Sequence, residues 1–458
     1  MANLTIEEII EATGGELLSD SSVDFSGVSI DSRSISDNEI FFAIRGEKFD
    51  GHEFLNNALL QGSGAVVDIR PEKLPEGKAI VCVEDTLKSL QDLAHFIRMR
   101  RSIPVIAITG SNGKTTVKEM IHAVLSKRFR TLKNQGNLNN HIGLPLSLMK
   151  LEPEDEMIVL EMGMNHSGEI KRLCEIAVPS HGVITNVGTA HIGELGSYKT
   201  LRAAKLEILG ELGVAVVNTD DDRLMQGIRE VSFKGQIITF GIENESHVRA
   251  SEIRATENGT DFTLELGNAG SIPINLNVHG LFNVYNALAA ATVSFSLGVT
   301  IDEIKAALDG YSAFPMRFEV IKENGITMIN DSYNANPTSM AESIKELVRM
   351  GSGTGGRVVA ALGDMKELRD FSEEAHREIG RLLSEADVDV FVAVGEMMGL
   401  AVEESMKTGM TPEVFSFRDA DEAGKEIMNI LKQGDTLLIK GSRSMLMEKI
   451  IRSIRNVI

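Results

Sequence analysis

The stretch ITGSNGKTTVKEM, residues 108–120, decides how the rest of the chain is read. It closes the apolar run IPVIAITG (103–110), passes through a glycine turn and enters a segment where Val117, Met120, Ile121, Val124 and Leu125 recur at helical spacing. A strand, a glycine turn and a helix beginning at Lys114 aim backbone N–H groups and the positive end of a helix dipole at one point, where a polyphosphate gains most. Lys114 adds a mobile cation and Thr115 a hydroxyl within reach of Mg²⁺. The common pattern G-x-x-x-x-G-K-[ST] has a glycine where this chain has Ile108, so the cradle is confined to Gly110, Ser111, Asn112, Gly113, Lys114, Thr115 and Thr116. The bland alternative is a tight turn with an exposed lysine; the strand-to-helix context favours phosphate.

Outward from the cradle, buried-strand runs alternate with helix patterns: MIVLEMG from 157, GVITNVG from 182 and VAVVNTD from 214. That alternation predicts a parallel sheet covered by helices, with Glu161 ending its strand at the carboxyl edge beside the cradle. Oxygen ligands suit Mg²⁺, although an acid at a strand end also serves simply to face water. Residues 236–280 read as short strands, followed by a helix through NVYNALAAATVSFSL. A second alternation then begins with TMIND at 327 and continues through RVVAALG, DVFVAVG and DTLLIKG. Before the cradle, VSIDSRSI, EIFFAI and GAVVDI read as short strands, and PEKLPEG as a surface loop. The expected architecture is α/β in three domains, with boundaries at 1–82, 83–314 and 315–458.

Composition agrees with this division. A chain of 458 residues exceeds what one hydrophobic core usually holds. Its 66 acidic against 46 basic residues leave a formal charge of −20, which repels nucleic acid and anionic membranes, so any anionic ligand needs a specific site. The two cysteines, Cys82 and Cys174, lack the spacing of a zinc site or disulfide framework, and suit a reducing compartment. The start, MANLTIEEIIEATGG, is acidic where a secretory signal is basic, and no stretch has the uninterrupted apolar length of a membrane span. These features point to a cytoplasmic protein.

Further segments occur in order: NLNNHIGLP, LEMGMNHSGEI, TNVGTAHI, AAKLEIL, HGLFNVYNALAA, FPMRFEV, NDSYNANPTSM, LGDMKEL followed by His376, and LIKGSRSMLME. Together with the cradle they resemble the Mur ligase family of cell-wall precursor synthesis, over essentially the whole chain. DSYNANP and the N-terminal FFAIRGEKFDGHEF resemble the member that adds D-alanyl-D-alanine to a UDP-N-acetylmuramoyl tripeptide. The resemblance implies a small α/β N-terminal domain binding the UDP substrate, a central ATP-binding domain and a Rossmann-like C-terminal domain for the incoming dipeptide. It also implies a monomer acting on small molecules, with ATP and two Mg²⁺ sites.

Residue by residue, the resemblance places Lys114 and the loop amides on the β- and γ-phosphates, and Thr115 with Glu161 on one Mg²⁺. His191 in TAHI takes a second metal, for which Mn²⁺ can substitute because histidine is a less usual Mg²⁺ ligand. Lys205 in LRAAKLEIL stands where the family carries a lysine carbamylated by CO₂. Asn283 and Asn286 resemble the adenine-side asparagines, Asp331 the ribose-binding acid, and Arg317, after the Phe314-Pro315 hinge, an arginine that swings onto the γ-phosphate. Asp31, Ser32 and Arg33 fall in the UDP-gripping part. Asn137, Asn139 and Asn140 face the sugar or peptide, and Asn334, Asn336, Lys440, Ser442 and Arg443 fall in the dipeptide region. Each has an ordinary alternative: a capped loop histidine at 191, a solvated helix lysine at 205, a helix cap at Asn283, turns for the asparagines, and surface ion pairs for Arg317 and Asp331.

Three rival readings share parts of this pattern. A P-loop switch predicts ATP turnover without an amine acceptor. Folylpolyglutamate synthetase shares the cradle and domain order but does not normally need the extra N-terminal domain. A sister ligase adding a single amino acid typically has DYAHTP where this chain has DSYNANP, and a DNPR segment that is absent here.

Overall fold

Buried β-branched runs alternate with amphipathic helices, and in the computed structural model they assemble into three sheets of five, nine and six strands. The structure describes residues 4–20, 23–46, 48–353, 355–407 and 413–456. No helix among them is long and apolar enough to cross a membrane.

The central sheet carries the cradle. Its strands lie in the order Ser271–Leu276, Thr260–Glu265, Val248–Ala255, Gln236–Gly241, Val214–Asn218, His181–Ile184, Val105–Thr109, Met157–Glu161 and Thr131–Lys133. All pairings are parallel except those among the first three. Val105–Thr109 is buried at every position, as a strand covered on both faces must be. From it the chain runs to Thr131–Lys133 at one edge, returns to Met157–Glu161, then crosses to His181–Ile184 on the opposite side. Connections that leave neighbouring strands in opposite directions open a crevice at the strands' carboxyl ends, and the glycine turn lies there.

The first sheet has the order Glu16–Ser19, Ala79–Cys82, Gly64–Val67, Glu39–Phe42 and Gly27–Ser29, parallel apart from its first pair. Helix Thr86–Met99, capped by Asp85, joins it to the central unit: Leu90, Leu93 and Ile97 share one apolar cluster with Phe42 and Val81 on one side and Leu148 and Leu173 on the other. Gln91 Nε2 donates to the His141 carbonyl at 2.9 Å and Arg98 Nε to the Ala177 carbonyl at 2.9 Å. Of the strand-like VSIDSRSI only Val28 and Ser29 fall in a strand, Gly27–Ser29, because the Asp31 carboxylate accepts the Arg33 N–H at 3.0 Å and turns the chain.

The third sheet has the order Glu319–Glu323, Ile326–Asp331, Thr436–Lys440, Val358–Gly363, Val390–Val394 and Glu413–Phe417, parallel beyond its first hairpin. Helix Pro337–Gly351 starts on a capping box between Asn336 and Ser339, with proline at its first position.

A buried asparagine fixes the far wall of the crevice. Asn134, 0% exposed, follows strand Thr131–Lys133. Its amide donates to the carbonyls of Leu138 (2.9 Å) and Glu161 (3.0 Å), and its oxygen accepts the Glu161 N–H at 3.0 Å. Buried Lys118 donates to the Asn134 carbonyl at 3.0 Å. The side chain therefore ties the asparagine loop to the residue that ends the next strand. Asn134→Ala strands these partners in the interior, and unfolding is expected to be easier by roughly 2–4 kcal/mol, read from urea midpoints; an unchanged midpoint would show that the loop is held by other means.

Candidate active site

At the mouth of the crevice a cavity of about 1020 Å³ lies between the central and third sheets. Helix Lys114–Leu125 begins directly from Gly113, whose φ of 80° favours glycine; a Cβ there would sit 2.3 Å from Asn286 Oδ1. The missing side chain lets helix Leu281–Ser296 press Asn286 against the cradle. Asn286 Nδ2 donates to Asn283 Oδ1 at 3.0 Å, and Asn283 Nδ2 to the His279 carbonyl at 2.7 Å. Gly280 occupies the cap position, so Asn283 does not cap this helix. Both asparagines are buried and line the cavity.

The cradle is braced by the loop after His181–Ile184. Ser111 N–H donates to the Asn186 carbonyl (3.0 Å), Asn112 N–H to Asn186 Oδ1 (3.0 Å), and Gly188 N–H to Ser111 Oγ (2.9 Å). Lys114 folds back over this turn, its Nζ donating to the Gly110 carbonyl at 2.8 Å. Burial pulls its pKa down, against an opposing pull from Glu161. Thr116 also lines the cavity.

Glu161, 3% exposed, is gripped on both oxygens: Thr115 Oγ1 donates to one at 2.8 Å and Asn139 Nδ2 to the other at 2.8 Å. Arg317, between the central and third sheets, reaches Thr115 Oγ1 with a terminal nitrogen at 3.3 Å while its guanidinium stacks 3.9 Å over the Tyr333 ring. Its Nε is buried without a partner. Asn336 donates to Asn112 Oδ1 at 2.7 Å, a direct link from the third sheet's side to the cradle.

His191 precedes the short helix Ile192–Leu195 and lines the same cavity, its Nδ1 lying 3.2 Å from Glu367 Oε2. Lys205, on helix Tyr198–Leu206, is 1% exposed and forms no ion pair among the described residues. Burial pulls its pKa well below the usual lysine value, and the charge of Lys114 adds to the shift. A solvated helix lysine is thereby excluded.

The remaining candidates divide. Asn137, Asn140, Asp331, Asn334 and Lys440 line the cavity. Asp331 and Lys440 face each other across paired strands and form a 2.5 Å ion pair, with Ser343 Oγ donating to the same Asp331 oxygen at 2.8 Å. Asn140 Oδ1 accepts the Gly143 N–H at 2.8 Å, the turn role of an ordinary asparagine. Asp31, Ser32, Arg33, Ser442 and Arg443 lie outside the cavity lining. Asp31 pairs with Arg33 at 2.7 Å, which lowers its pKa to about 2. Ser442 Oγ accepts the Lys366 N–H at 2.8 Å, and Arg443 pairs with Glu448 at 2.9 and 3.0 Å. The reading of the sequence passed over Asn134, Asn186, Tyr333 and Glu367, although Glu367 lies within the quoted LGDMKEL.

Comparison with known proteins accounts for this arrangement along the whole chain. Residues 24–98 match the family model described as Mur ligase family, catalytic domain, residues 108–294 the Mur ligase middle domain, and residues 316–443 the Mur ligase glutamate ligase domain. A curated relative from Bacillus subtilis, UDP-N-acetylmuramoyl-tripeptide--D-alanyl-D-alanine ligase, is 36% identical over 99% of both chains. A crystal structure of MurF from Acinetobacter baumannii superposes with a TM-score of 0.91 at 32% identity, covering 100% of this chain and 99% of that one. MurF from Thermotoga maritima in complex with ADP gives 0.82 at 28% identity, over 94% and 97%. With three domain models and full-length relatives matched from end to end, the chain belongs to the Mur ligase family.

Proposed function

We propose that this protein is an ATP-dependent amide ligase that joins D-alanyl-D-alanine to a UDP-N-acetylmuramoyl tripeptide. The observation that carries the reading is the convergence, in one cavity, of the glycine cradle, Glu161 and His191 from the central unit with Arg317, Asn336 and Glu367 from the third. Full-length similarity to relatives bearing that activity in their names supports the choice of substrates.

A carboxylate resists attack by an amine because it is anionic and has no good leaving group. Its oxygen therefore attacks the γ-phosphorus of ATP, the bond to the β-phosphate oxygen breaks, and ADP leaves an acyl phosphate. The dipeptide amine then adds to the acyl carbon, and the tetrahedral intermediate expels inorganic phosphate and a proton. For the first step the cradle N–H groups hold the β- and γ-phosphates, and Lys114 exchanges the Gly110 carbonyl for phosphate oxygen. Arg317, free on Nε, turns its guanidinium to the γ-phosphate. Asn283 and Asn286 bound the adenine side and Asp331 the ribose.

On the acceptor side, Asp31, Ser32 and Arg33 hold the UDP end, and Asn137, Asn139 and Asn140 the sugar or peptide. Asn334, Asn336 and Ser442 lie toward the dipeptide, where Lys440 and Arg443 take part by exchanging Asp331 and Glu448. Closure of the third domain excludes water from the acyl phosphate. We place this monomer among small-molecule enzymes of the cytoplasm.

The donors fit dications. Thr115 and Glu161 present oxygen beside the phosphate cradle and would hold one Mg²⁺. His191 and a carbamate on Lys205 would hold a second, a set that also accepts Mn²⁺. Bound there, the metals supply positive charge where phosphoryl and carboxylate oxygens meet. Burial disfavours the charged form of Lys205, and the amine, once it has released its proton, adds CO₂ to give a carbamate and a further proton, replacing a repelled cation with an anion.

Phosphate release from ATP and Mg²⁺ with the UDP-tripeptide is expected to rise sharply on adding D-alanyl-D-alanine; equal release without any acceptor would mark a P-loop switch, and release driven by single amino acids a sister ligase. Lys205→Arg keeps the charge but cannot carry the carbamate, and is expected to lose roughly 10²–10³-fold in kcat. Protein equilibrated with ¹³C-bicarbonate should show a carbamate resonance that the variant lacks, and native turnover by Lys205→Arg would remove the modification from the mechanism. Because the attacking amine must be neutral and has a reference pKa of about 8, the dipeptide kcat/KM is expected to climb from neutral pH and level off above roughly pH 8.5. A flat profile with chemistry rate-limiting would contradict this.

A further inference from the structure

A metal-bound imidazole gives one ring nitrogen to the metal, and its orientation is set by what the other nitrogen meets. His191 holds the left-handed backbone conformation, φ 64°, which directs its ring into the seam between the central and third sheets. There Nδ1 lies 3.2 Å from Glu367 Oε2, the one carboxylate paired with this ring among the described residues. Nδ1 is buried and lacks an aligned hydrogen bond, and the Glu367 carboxylate is the acceptor within reach of it.

The carboxylate comes from a rigid support. Glu367 lies in the loop after strand Val358–Gly363, itself in left-handed backbone, φ 66°. That loop is pinned by Met365 N–H donating to His376 Nε2 (3.0 Å), by Lys366 N–H donating to Ser442 Oγ (2.8 Å), and by Asp364 accepting the Met398 N–H (2.9 Å). His376 and Ser442 thus hold the loop. Opposite, the loop backbone approaches so closely that a Cβ on Gly193 would meet the Glu367 carbonyl oxygen at 2.5 Å. Arg369 Nε donates to Glu194 Oε1 at 3.0 Å beside it.

We infer that Glu367 is a positioning residue for the second divalent-cation site: by accepting the Nδ1 proton of His191 it turns Nε2 toward the metal, so that the site is complete only when the third domain is docked. This rests on reading His191 as a metal ligand. No role in the chemistry itself is assigned to Glu367; it acts through the ring.

Mn²⁺ binding to the full-length protein with a non-hydrolysable ATP analogue, followed by electron paramagnetic resonance, tests it without turnover. The native protein is expected to bind two classes of Mn²⁺, and His191→Ala to lose one. Glu367→Gln, which keeps shape and removes charge, is expected to weaken that same class about 10–100-fold and leave the other unchanged. Arg369→Ala breaks the neighbouring ion pair but not the imidazole contact, and should stay within about twofold of native. If Glu367→Gln binds as tightly as native or more tightly, or Arg369→Ala weakens binding equally, the positioning role is overturned while the ligand role of His191 stands. If His191→Ala keeps both classes, the ligand role falls first and the inference with it.

Discussion

The crevice beside strand Val105–Thr109 is the constraint on which the site depends. Because the connection leaving this strand goes one way and that leaving His181–Ile184 the other, the start of the helix after the glycine turn, Gly113 to Thr116, borders a cavity instead of a covering helix. The turn keeps its shape through the neighbouring loop, whose Asn186 takes the Ser111 N–H on its carbonyl and the Asn112 N–H on its side chain. Position 113 tolerates no side chain for a related reason, since Asn286 occupies that space. Sheet order, loop bracing and the placement of both buried asparagines are thus one solution to holding a polyphosphate against an otherwise anionic protein.

Charge balance explains why that solution works despite a formal charge of −20. Lys114, Lys205 and Arg317 gather near the cradle, while the carboxylates closest to them, Glu161 and Glu367, are engaged by Thr115, Asn139 and His191. Burial weakens the hold of both lysines on their protons, and each cation disfavours the next. Such a site is unsatisfied on its own: Lys114 can only donate to its own loop, and Arg317 keeps a buried nitrogen without an acceptor. Anionic ligands relieve both conditions, so the binding free energy is concentrated where the phosphoryl group moves.

How much of this was legible depends on whether the information was local. Helical spacing after Gly113 marks Lys114–Leu125 because periodicity is a property of neighbours. Glu161 was readable as the end of the apolar run MIVLE, whose strand supplied its direction. His191 and Lys205 carry no local signal; only the family resemblance singled them out, and burial without a counter-ion is what the fold adds for Lys205. Asn134 is one of four asparagines within seven residues, and its distinction lies in a contact with Glu161 on the adjoining strand. The Asp331–Lys440 pair follows from the parallel register of two strands far apart in sequence, so it could be read only once strand order was known. Glu367 sat inside a quoted segment, yet its partner is set by docking of separate sheets.

The seam between the central and third units combines apolar packing with polar links, and it is strained beside Arg317. Met316 and Phe318 both adopt positive φ, 59° and 52°, on either side of Arg317. Non-glycine residues in this region cost of order 1–3 kcal/mol each, and surrounding contacts must hold them there. Those contacts are visible: Phe318 N–H donates to Asp331 at 3.2 Å and its ring packs edge-on to Phe282, while Met316 N–H donates to Glu319 at 3.2 Å. The same Asp331 accepts from Lys440, so the segment around Arg317 and the third sheet share one carboxylate. Hydrogen bonds and ion pairs also cross the seam, among them Asn336 to Asn112, Thr189 to Thr338, His191 to Glu367 and Arg369 to Glu194, each small enough to exchange for ligand atoms. A hinge strained at two residues and fastened in part by exchangeable polar contacts can move when ligands compete for its partners.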